Sequence, residues 1–138
     1  MRLGIVASRF NEEISGQLLE RARAAAAKLG IDDCFVVQVS GALEIPLTLQ
    51  WMAQAGRFDA LVALGCVIRG ETHHFEIVAN ESARGLMDVA LQCGTPIANG
   101  ILTTEDEAQA LARLDKGAEA VQVAVEMARL KASLNENR

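Results

Sequence analysis

The sequence predicts an α/β protein, a three-layer α/β/α sandwich built on a four-stranded parallel sheet. One observation is that short apolar segments of strand length alternate with longer segments in which apolar residues recur every three or four positions. The other is that glycines and polar turn residues separate these segments without a long linker. Because crossovers between parallel strands are right-handed, the helices should cover both faces of the sheet.

Four short apolar runs indicate the strands. Each is bounded by charged, polar, glycine or proline residues and is too short for a core helix. The third contains Ala-Leu-Val-Ala-Leu before Gly65 and should be buried on both faces. The predicted strands cover residues 3–8, 34–39, 59–65 and 96–102.

Five segments with apolar residues at helical spacing indicate the helices. Gly30 and Gly56 should end the first two, since glycine readily adopts the left-handed conformation that closes a helix. Pro46 is tolerated in the first turn of the second. Thr72 stands at the expected N-cap of the third, and Thr104 opens a capping box for the fourth. The predicted helices cover residues 12–29, 44–55, 73–93, 104–114 and 117–134.

Length and composition favour one globular domain, residues 1–138, since the chain is 51% hydrophobic and 22% charged. A net charge of −5 without a basic tract argues against a nucleic-acid partner. The absence of Tyr also leaves few aromatic side chains on which the bases of a single strand could stack. No apolar stretch is long enough for a membrane span, and residues 1–8 lack a signal-peptide pattern. Cys34, Cys66 and Cys93 are odd in number and widely spaced, which indicates reduced thiols in a cytoplasmic protein.

Polar, irregular segments follow the first three strands at residues 8–11, 40–44 and 67–74. Ligands of parallel sheets bind outside the carboxyl ends of the strands, where the strand order reverses, so these three loops should converge on one crevice. The third loop leads from Gly65 into a helix, and the free N–H groups and dipole of that helix favour a phosphate or carboxylate.

Several side chains of these loops suit a polar heterocycle, although each has a simpler interpretation. Phe10 offers a flat apolar face and Asn11 a paired donor and acceptor, or the two form a hydrophobic staple and an N-cap. Glu44 can accept hydroxyl protons of a polyol, or only complement a helix N-terminus. Thr72 can contact an anion or act as a cap alone.

Two adjacent histidines lie at the start of the third helix. His74, in the first helical turn, can move protons near neutral pH, or it is a solvated surface residue. His73 and His74 diverge on a helix, and Glu71 and Glu76 do not complete a zinc-type spacing, so no metal site is expected.

In its motifs the chain resembles the 6,7-dimethyl-8-ribityllumazine synthase family of riboflavin biosynthesis. The similarity covers nearly the whole chain in register, and the order of its blocks makes it specific. The blocks are RFN at 9–11, GALEIP at 41–46, GCVIRGETHHF at 65–75, NE at 80–81, GILTTE at 100–105, Arg113 and KG at 116–117. The resemblance implies a cofactor-free condensation of 5-amino-6-(D-ribitylamino)uracil with 3,4-dihydroxy-2-butanone 4-phosphate.

The resemblance also implies a role for each site residue. His74 and Arg113 would be catalytic, since the family's catalytic histidine immediately precedes an aromatic residue and an arginine takes the phosphate. Phe10 would stack on the pyrimidine, and Asn11 and Glu44 would hold the ribityl chain. The implied substrate-binding residues are Phe10, Asn11, Gly41, Ala42, Leu43, Glu44, Val67, Ile68, Gly70, Glu71, Thr72, Asn99 and Lys116.

The family further implies homopentamers, sometimes assembled into a shell, with active sites between adjacent subunits. A neighbouring subunit would then supply Asn99 and Arg113, which lie outside the three converging loops. Leu43 and Asn99 replace aromatic residues common in the family, so ring stacking should depend more on Phe10. The segment between Arg113 and Lys116 is several residues shorter than in many members, which leaves the alignment of Lys116 with the family open. The chain begins almost directly with the first strand, without the extension that adds a strand to the neighbour's sheet in many members, which leaves shell formation open.

Other classes share the predicted fold, which is flavodoxin-like. A flavin- or nucleotide-binding module of this fold carries a phosphate loop after its first strand, where this chain has residues 8–11. A receiver-type signalling domain needs an acidic residue at the end of the third strand, where Gly65 and Cys66 stand. A non-catalytic lumazine- or flavin-binding shell paralogue remains the alternative.

Overall fold

The computed structural model describes residues 1–136, in which four parallel strands form one sheet in the order β2-β1-β3-β4. The strands are β1 Arg2–Ser8, β2 Asp33–Val39, β3 Ala60–Ile68 and β4 Ile97–Thr104. The helices are α1 Glu12–Lys28, α2 Ile45–Ala55, α3 His74–Cys93, α4 Glu107–Leu111 and α5 Lys116–Glu136, with a 3₁₀ turn at Ala42–Glu44. The predicted element order and three-layer α/β/α fold are confirmed.

Both faces of the sheet are buried. Leu3 and Ile5 of β1 belong to an apolar cluster with α1 and α5, whereas Val6 belongs to a second cluster with α2 and α3. β3 alternates in the same way, with Val62 in the first cluster and Leu61 in the second. This two-sided burial explains why the strands are apolar runs rather than alternating segments. None of the helices in the described part combines the length and apolar character needed to cross a membrane.

The third strand is longer than predicted and continues to Ile68. Cys66, Val67 and Ile68 pair with the end of β4, so they are strand residues rather than loop residues. Gly65 does not end the strand but allows a close approach inside the sheet: a Cβ on Gly65 would lie 2.6 Å from the Oγ of Ser8. The prediction was wrong because it took this glycine for a turn residue.

Two predicted helix caps are also wrong. The N-cap of α3 is His73, with φ −65° and no side-chain cap, and the Oγ1 of Thr72 accepts only a long bond from the His74 N–H at 3.4 Å. The N-cap of α4 is Asp106, whose carboxylate accepts from the N–H of Gln109 at 2.8 Å. Thr104 stays in β4 because it pairs with Ile68, so the predicted capping box does not form. The helix is also shorter than predicted, since it ends at Leu111 rather than at residue 114.

Candidate functional site

The strand order reverses between β1 and β3, and the loops that follow β1, β2 and β3 meet there, as the sequence predicts. The loop after β1 follows β2 for two more residues. The Arg9 N–H donates to the Val39 carbonyl at 2.8 Å, and the Phe10 N–H donates to the Ser40 carbonyl at 3.0 Å. The first two loops therefore leave the sheet side by side.

A cavity of about 510 Å³ opens at this edge and collects most of the predicted site residues. Its walls come from all three loops and from the first turns of α3. The lining residues are Phe10, Ser40, Gly41, Ala42, Leu43, Glu44, Cys66, Val67, Ile68, Gly70, Thr72, His74, Phe75 and Val78. The Phe10 side chain is 70% exposed although it is apolar, so its ring presents a free face to a planar ligand.

Asn11 anchors the first loop to the third strand instead of lining the cavity. It adopts the left-handed conformation, with φ 58°, that few residues other than glycine and asparagine tolerate. Its Nδ2 donates to the carbonyl of Cys66 at 3.0 Å. Asn11 is thus the N-cap of α1 by position, yet its side chain makes no cap bond. The left-handed conformation was not foreseen from the sequence.

Glu44 is the last residue of the 3₁₀ turn that enters the cavity after β2. Its Oε2 accepts a hydrogen bond from the Gly41 N–H at 3.1 Å, which folds the side chain back over its own turn. The Thr48 hydroxyl donates to the Glu44 carbonyl at 2.9 Å and joins the turn to α2. The turn therefore holds Gly41, Ala42 and Leu43 as a rigid wall of the cavity.

His74 and His73 diverge as predicted at the start of α3. His74 lines the cavity, whereas the His73 side chain is 79% exposed and its Nδ1 lies 3.6 Å from the Oε2 of Glu76. Gly70 and Thr72 border the same cavity, so a ligand anion and the His74 ring can meet there. Glu71 lies in this loop but is not a lining residue. Within residues 1–136, no group of three or more His, Cys, Asp or Glu residues could hold a metal ion.

Arg69, beside the site, makes contacts that the sequence did not predict. Its Nε donates to the Oε2 of Glu105 at 2.6 Å, and its guanidinium also contacts the Glu76 carboxylate and lies 4.5 Å from the centre of the Phe75 ring. The hydrogen bond with Glu76 raises the pKa of Arg69, and Arg69 in turn lowers the pKa of Glu76. No spacing in the sequence signals this contact, because Glu105 is 36 residues away.

Cys66 is an unsuitable nucleophile although it borders the cavity. Its side chain is buried in a small cluster that includes Ile14, Leu18 and Leu102. Burial, and secondarily the Glu107 carboxylate, raises the pKa of the thiol to about 11. The thiolate needed for attack is therefore scarce at neutral pH.

Asn99, Arg113 and Lys116 lie apart from this cavity. They line a separate cleft of about 660 Å³ beside β4, together with Thr103, Thr104, Asp115 and Glu119. One Arg113 nitrogen donates to the Gln109 carbonyl at 2.8 Å, which holds the guanidinium near the end of α4. Within one chain, the structure therefore divides the predicted site residues between a cavity at the β1/β3 edge and a cleft beside β4.

Comparison with known proteins shows the family of the chain. A family model described as 6,7-dimethyl-8-ribityllumazine synthase matches residues 1–132. A protein of that name from Nitrosomonas europaea is 56% identical over 137 residues, which cover 97% of this chain and 84% of that protein. Relatives of the same name from Cupriavidus necator and Burkholderia multivorans are 54% and 52% identical and cover 100% and 99% of this chain, and 85% and 81% of their own lengths. The chain belongs to the 6,7-dimethyl-8-ribityllumazine synthase family.

Proposed function

We propose that the protein condenses 5-amino-6-(D-ribitylamino)uracil with 3,4-dihydroxy-2-butanone 4-phosphate to 6,7-dimethyl-8-ribityllumazine, the penultimate step of riboflavin biosynthesis. The reaction is a transfer that releases phosphate and water and needs no cofactor. Besides family membership, the observation that carries this proposal is the cavity at the β1/β3 edge. It brings an exposed aromatic ring, a histidine and a glycine-containing loop at a helix N-terminus together in one place.

The uracil substrate suits the wall formed by Phe10 and residues 41–44. Phe10 stacks on the pyrimidine, and the backbone at Val67 and Ile68 approaches the ring edge. Leu43 is 42% exposed and adds apolar contact. Glu44 accepts hydrogen bonds from ribityl hydroxyl groups. Asn11, which does not line the cavity, supports this wall by holding the loop that carries Phe10 against β3.

The phosphate substrate suits the loop before α3. The backbone N–H groups of Gly70, Glu71 and Thr72 and the first turn of α3 favour an anion. Arg113 completes the phosphate site with a planar pair of donors. Lys116 borders the same cleft as Arg113 and acts with it on the phosphate, whereas Asn99, in the same cleft, would contact the heterocycle.

In the mechanism, the 5-amino group of the uracil attacks the butanone carbonyl, and loss of water gives an imine. Removal of the C3 proton of the butanone part expels the phosphate from C4 and leaves an enol, which takes up a proton and becomes a ketone. The ribitylamino nitrogen then attacks this carbonyl and closes the second ring with loss of another water. Holding two reactants together can contribute about 7–11 kcal/mol in favourable cases. His74 moves protons in these steps, typically a roughly 10²–10⁴-fold effect.

We further propose that the active enzyme is a homo-oligomer, at least a pentamer, whose sites lie between subunits. The pentamer is what the family implies. The support for a shared site is the separation of the two half-sites within one chain: the cavity holds Phe10 and His74, whereas the cleft holds Arg113. A neighbour's cleft facing this cavity would complete the site. Three unpaired cysteine thiols support a cytoplasmic location.

The test is incubation of the pure protein with both substrates while the fluorescence of the lumazine product is followed. We expect product to accumulate and one phosphate to be released for each lumazine formed. Tight binding of lumazine or a flavin without any turnover would overturn the proposal and favour the non-catalytic alternative, which no present observation supports.

A further inference from the structure

Arg69 joins three segments that meet around His74. Its backbone N–H donates to the carbonyl of Thr104 at 2.8 Å, which continues the pairing of β3 with β4 by one residue. Its side chain donates to Glu105, in the loop after β4, and to Glu76, in the first turn of α3. The guanidinium also covers the Phe75 ring. One side chain thereby connects the end of β4 to the turn that carries His74.

The donors of the guanidinium are already committed to two carboxylates. Arg69 is absent from the lining of the cavity, whereas its neighbours Gly70 and Phe75 are part of it. A substrate phosphate would have to displace the carboxylate of Glu76 or Glu105 to reach the N–H donors of the Arg69 guanidinium. Arg69 is therefore better suited to hold the walls of the site than to bind substrate.

The contacts of Arg69 should contribute little to global stability. Its side chain is 40% exposed, and the side chains of Glu76 and Glu105 are 33% and 59% exposed. Ion pairs at such exposed positions contribute little because water and salt screen them. Their geometry is nevertheless specific. The planar guanidinium hydrogen-bonds two carboxylates while it stacks on the Phe75 ring, and a lysine ammonium group cannot do both.

We propose that Arg69 is a positioning residue: by linking Glu105 to Glu76 across the Phe75 ring, it fixes the first turn of α3 so that His74 meets the bound substrates in one orientation. This inference rests on the proposed function. Small displacements of a proton-transfer group lower the rate of the chemical step more than they lower binding.

The test compares Arg69→Lys with Arg84→Lys. Arg84 is a matched control, because it is also an exposed arginine of this region with two carboxylate partners, Glu81 and Asp88, but it lies on α3 away from the cavity. In Arg69→Lys we expect kcat to fall about 10-fold while KM for each substrate stays within about twofold. Arg84→Lys should match the wild type in both.

A double variant tests the proposed link itself. Glu105→Gln combined with Arg69→Lys should lower kcat less than the product of the two single effects, since both remove one connection. In Glu105→Gln combined with Arg84→Lys, the effect on kcat should equal the product of the two single effects. A selective rise in KM for the butanone phosphate in Arg69→Lys would mean that Arg69 binds substrate, and an unchanged kcat would mean that it positions nothing; either result overturns the inference.

Hydrogen–deuterium exchange separates this inference from the proposed function. The amides of Glu76 and Ile77 bond to the His73 carbonyl at 3.1 and 3.4 Å. Exchange over residues 70–77 should be faster in Arg69→Lys than in the wild type or in Arg84→Lys, whether or not the enzyme turns over. If the wild-type protein shows no turnover but Arg69→Lys still exchanges faster, the Arg69 link is retained and the proposed reaction is rejected. If the wild-type protein is active but exchange is the same in Arg69→Lys, only the link is rejected.

Discussion

The side-chain amide of Asn11 donates a hydrogen bond to the backbone carbonyl of Cys66 at 3.0 Å, which joins the loop after β1 to the last residues of β3. The two residues are 55 positions apart in the chain. Asn11 makes this bond from the left-handed backbone conformation, and Phe10, immediately before it, presents its ring to the cavity. The Asn11 side chain thus adds a direct link between the loop that carries Phe10 and the end of β3 that lines the cavity.

Substitutions of Asn11 should separate its two contributions. Asn11→Gly loses the hydrogen bond but keeps the left-handed conformation, and should cost about 1 kcal/mol. Asn11→Ala loses both and should cost about 1 kcal/mol more, because a Cβ disfavours that conformation. Thermal unfolding at matched protein concentration measures the difference. Equal stability of the two variants would show that the conformation is not strained for alanine.

The contact between Gly65 and Ser8 predicts a compensating pair. A Cβ on Gly65 would lie 2.6 Å from the Ser8 Oγ but 3.5 Å from the Ser8 Cβ. Gly65→Ala alone should therefore destabilise the protein by about 1–3 kcal/mol through overpacking.

The compensating change is Ser8→Ala, which removes a buried hydroxyl that has no hydrogen-bond partner among the described residues and should be neutral or stabilising. The double variant Ser8→Ala/Gly65→Ala should recover most of the stability lost in Gly65→Ala. Additive effects in denaturant unfolding would show that the two positions do not compete for space.

These two contacts also show why parts of the structure could not be predicted from the sequence. The element order and the converging loops follow from local apolar patterns and from the handedness of crossovers, so they could be predicted. The end of β3 could not, because Gly65 is required by Ser8, a residue far away in the chain. The αL backbone of Asn11 and the contact between Arg69 and Glu105 likewise depend on tertiary neighbours that no spacing reveals.

The caps of α3 and α4 were mispredicted for a related reason. Thr104 and Asp106 are both suitable caps, and the pairing of Thr104 with Ile68 in the sheet selects Asp106. Thr72 is a suitable cap in sequence, but the helix begins one residue too late for it. Local signals thus identified each helix start to within three residues, and for α4 the pairing of the sheet determined the final position.

His74→Ala should retain measurable turnover and bind the uracil substrate almost normally. Proton transfer contributes only part of the rate enhancement, so kcat should fall by at most roughly 10²–10⁴-fold. The matched control is His73→Ala, which removes an exposed ring outside the cavity and should leave kcat close to the wild-type value. The rate of lumazine formation and a uracil titration provide both readouts. Loss of uracil binding in His74→Ala would contradict the assigned role.

Arg113→Lys should weaken binding of the butanone phosphate more than conservation of charge suggests. The planar guanidinium can donate two parallel hydrogen bonds to a phosphate, and an ammonium group cannot. The loss should be partial, because the loop at Gly70–Thr72 still attracts the anion. Steady-state kinetics with each substrate varied would check this. A rise in the KM for the uracil substrate alone would mean that Arg113 binds the uracil rather than the butanone phosphate.

Cys66 should resist alkylation in the native protein. With its pKa raised to about 11, the thiol is almost entirely protonated at pH 8, and its side chain is buried. Iodoacetamide labelling followed by peptide mass spectrometry should find Cys66 unmodified until the protein is unfolded. Rapid native labelling at Cys66 would contradict the packing of this thiol.

Subunit complementation tests most directly whether the cavity at the β1/β3 edge and the cleft beside β4 are halves of one site. Arg113→Ala disables the cleft, and Phe10→Ala/Asn11→Gly disables the cavity while keeping the backbone conformation at position 11 accessible. Each variant should be inactive alone. After subunit exchange at equal amounts, verified by mass spectrometry, about a quarter of interfaces should pair an intact cavity with an intact cleft and restore about 25% of wild-type activity. Mixed assemblies that show no recovery would contradict the shared site.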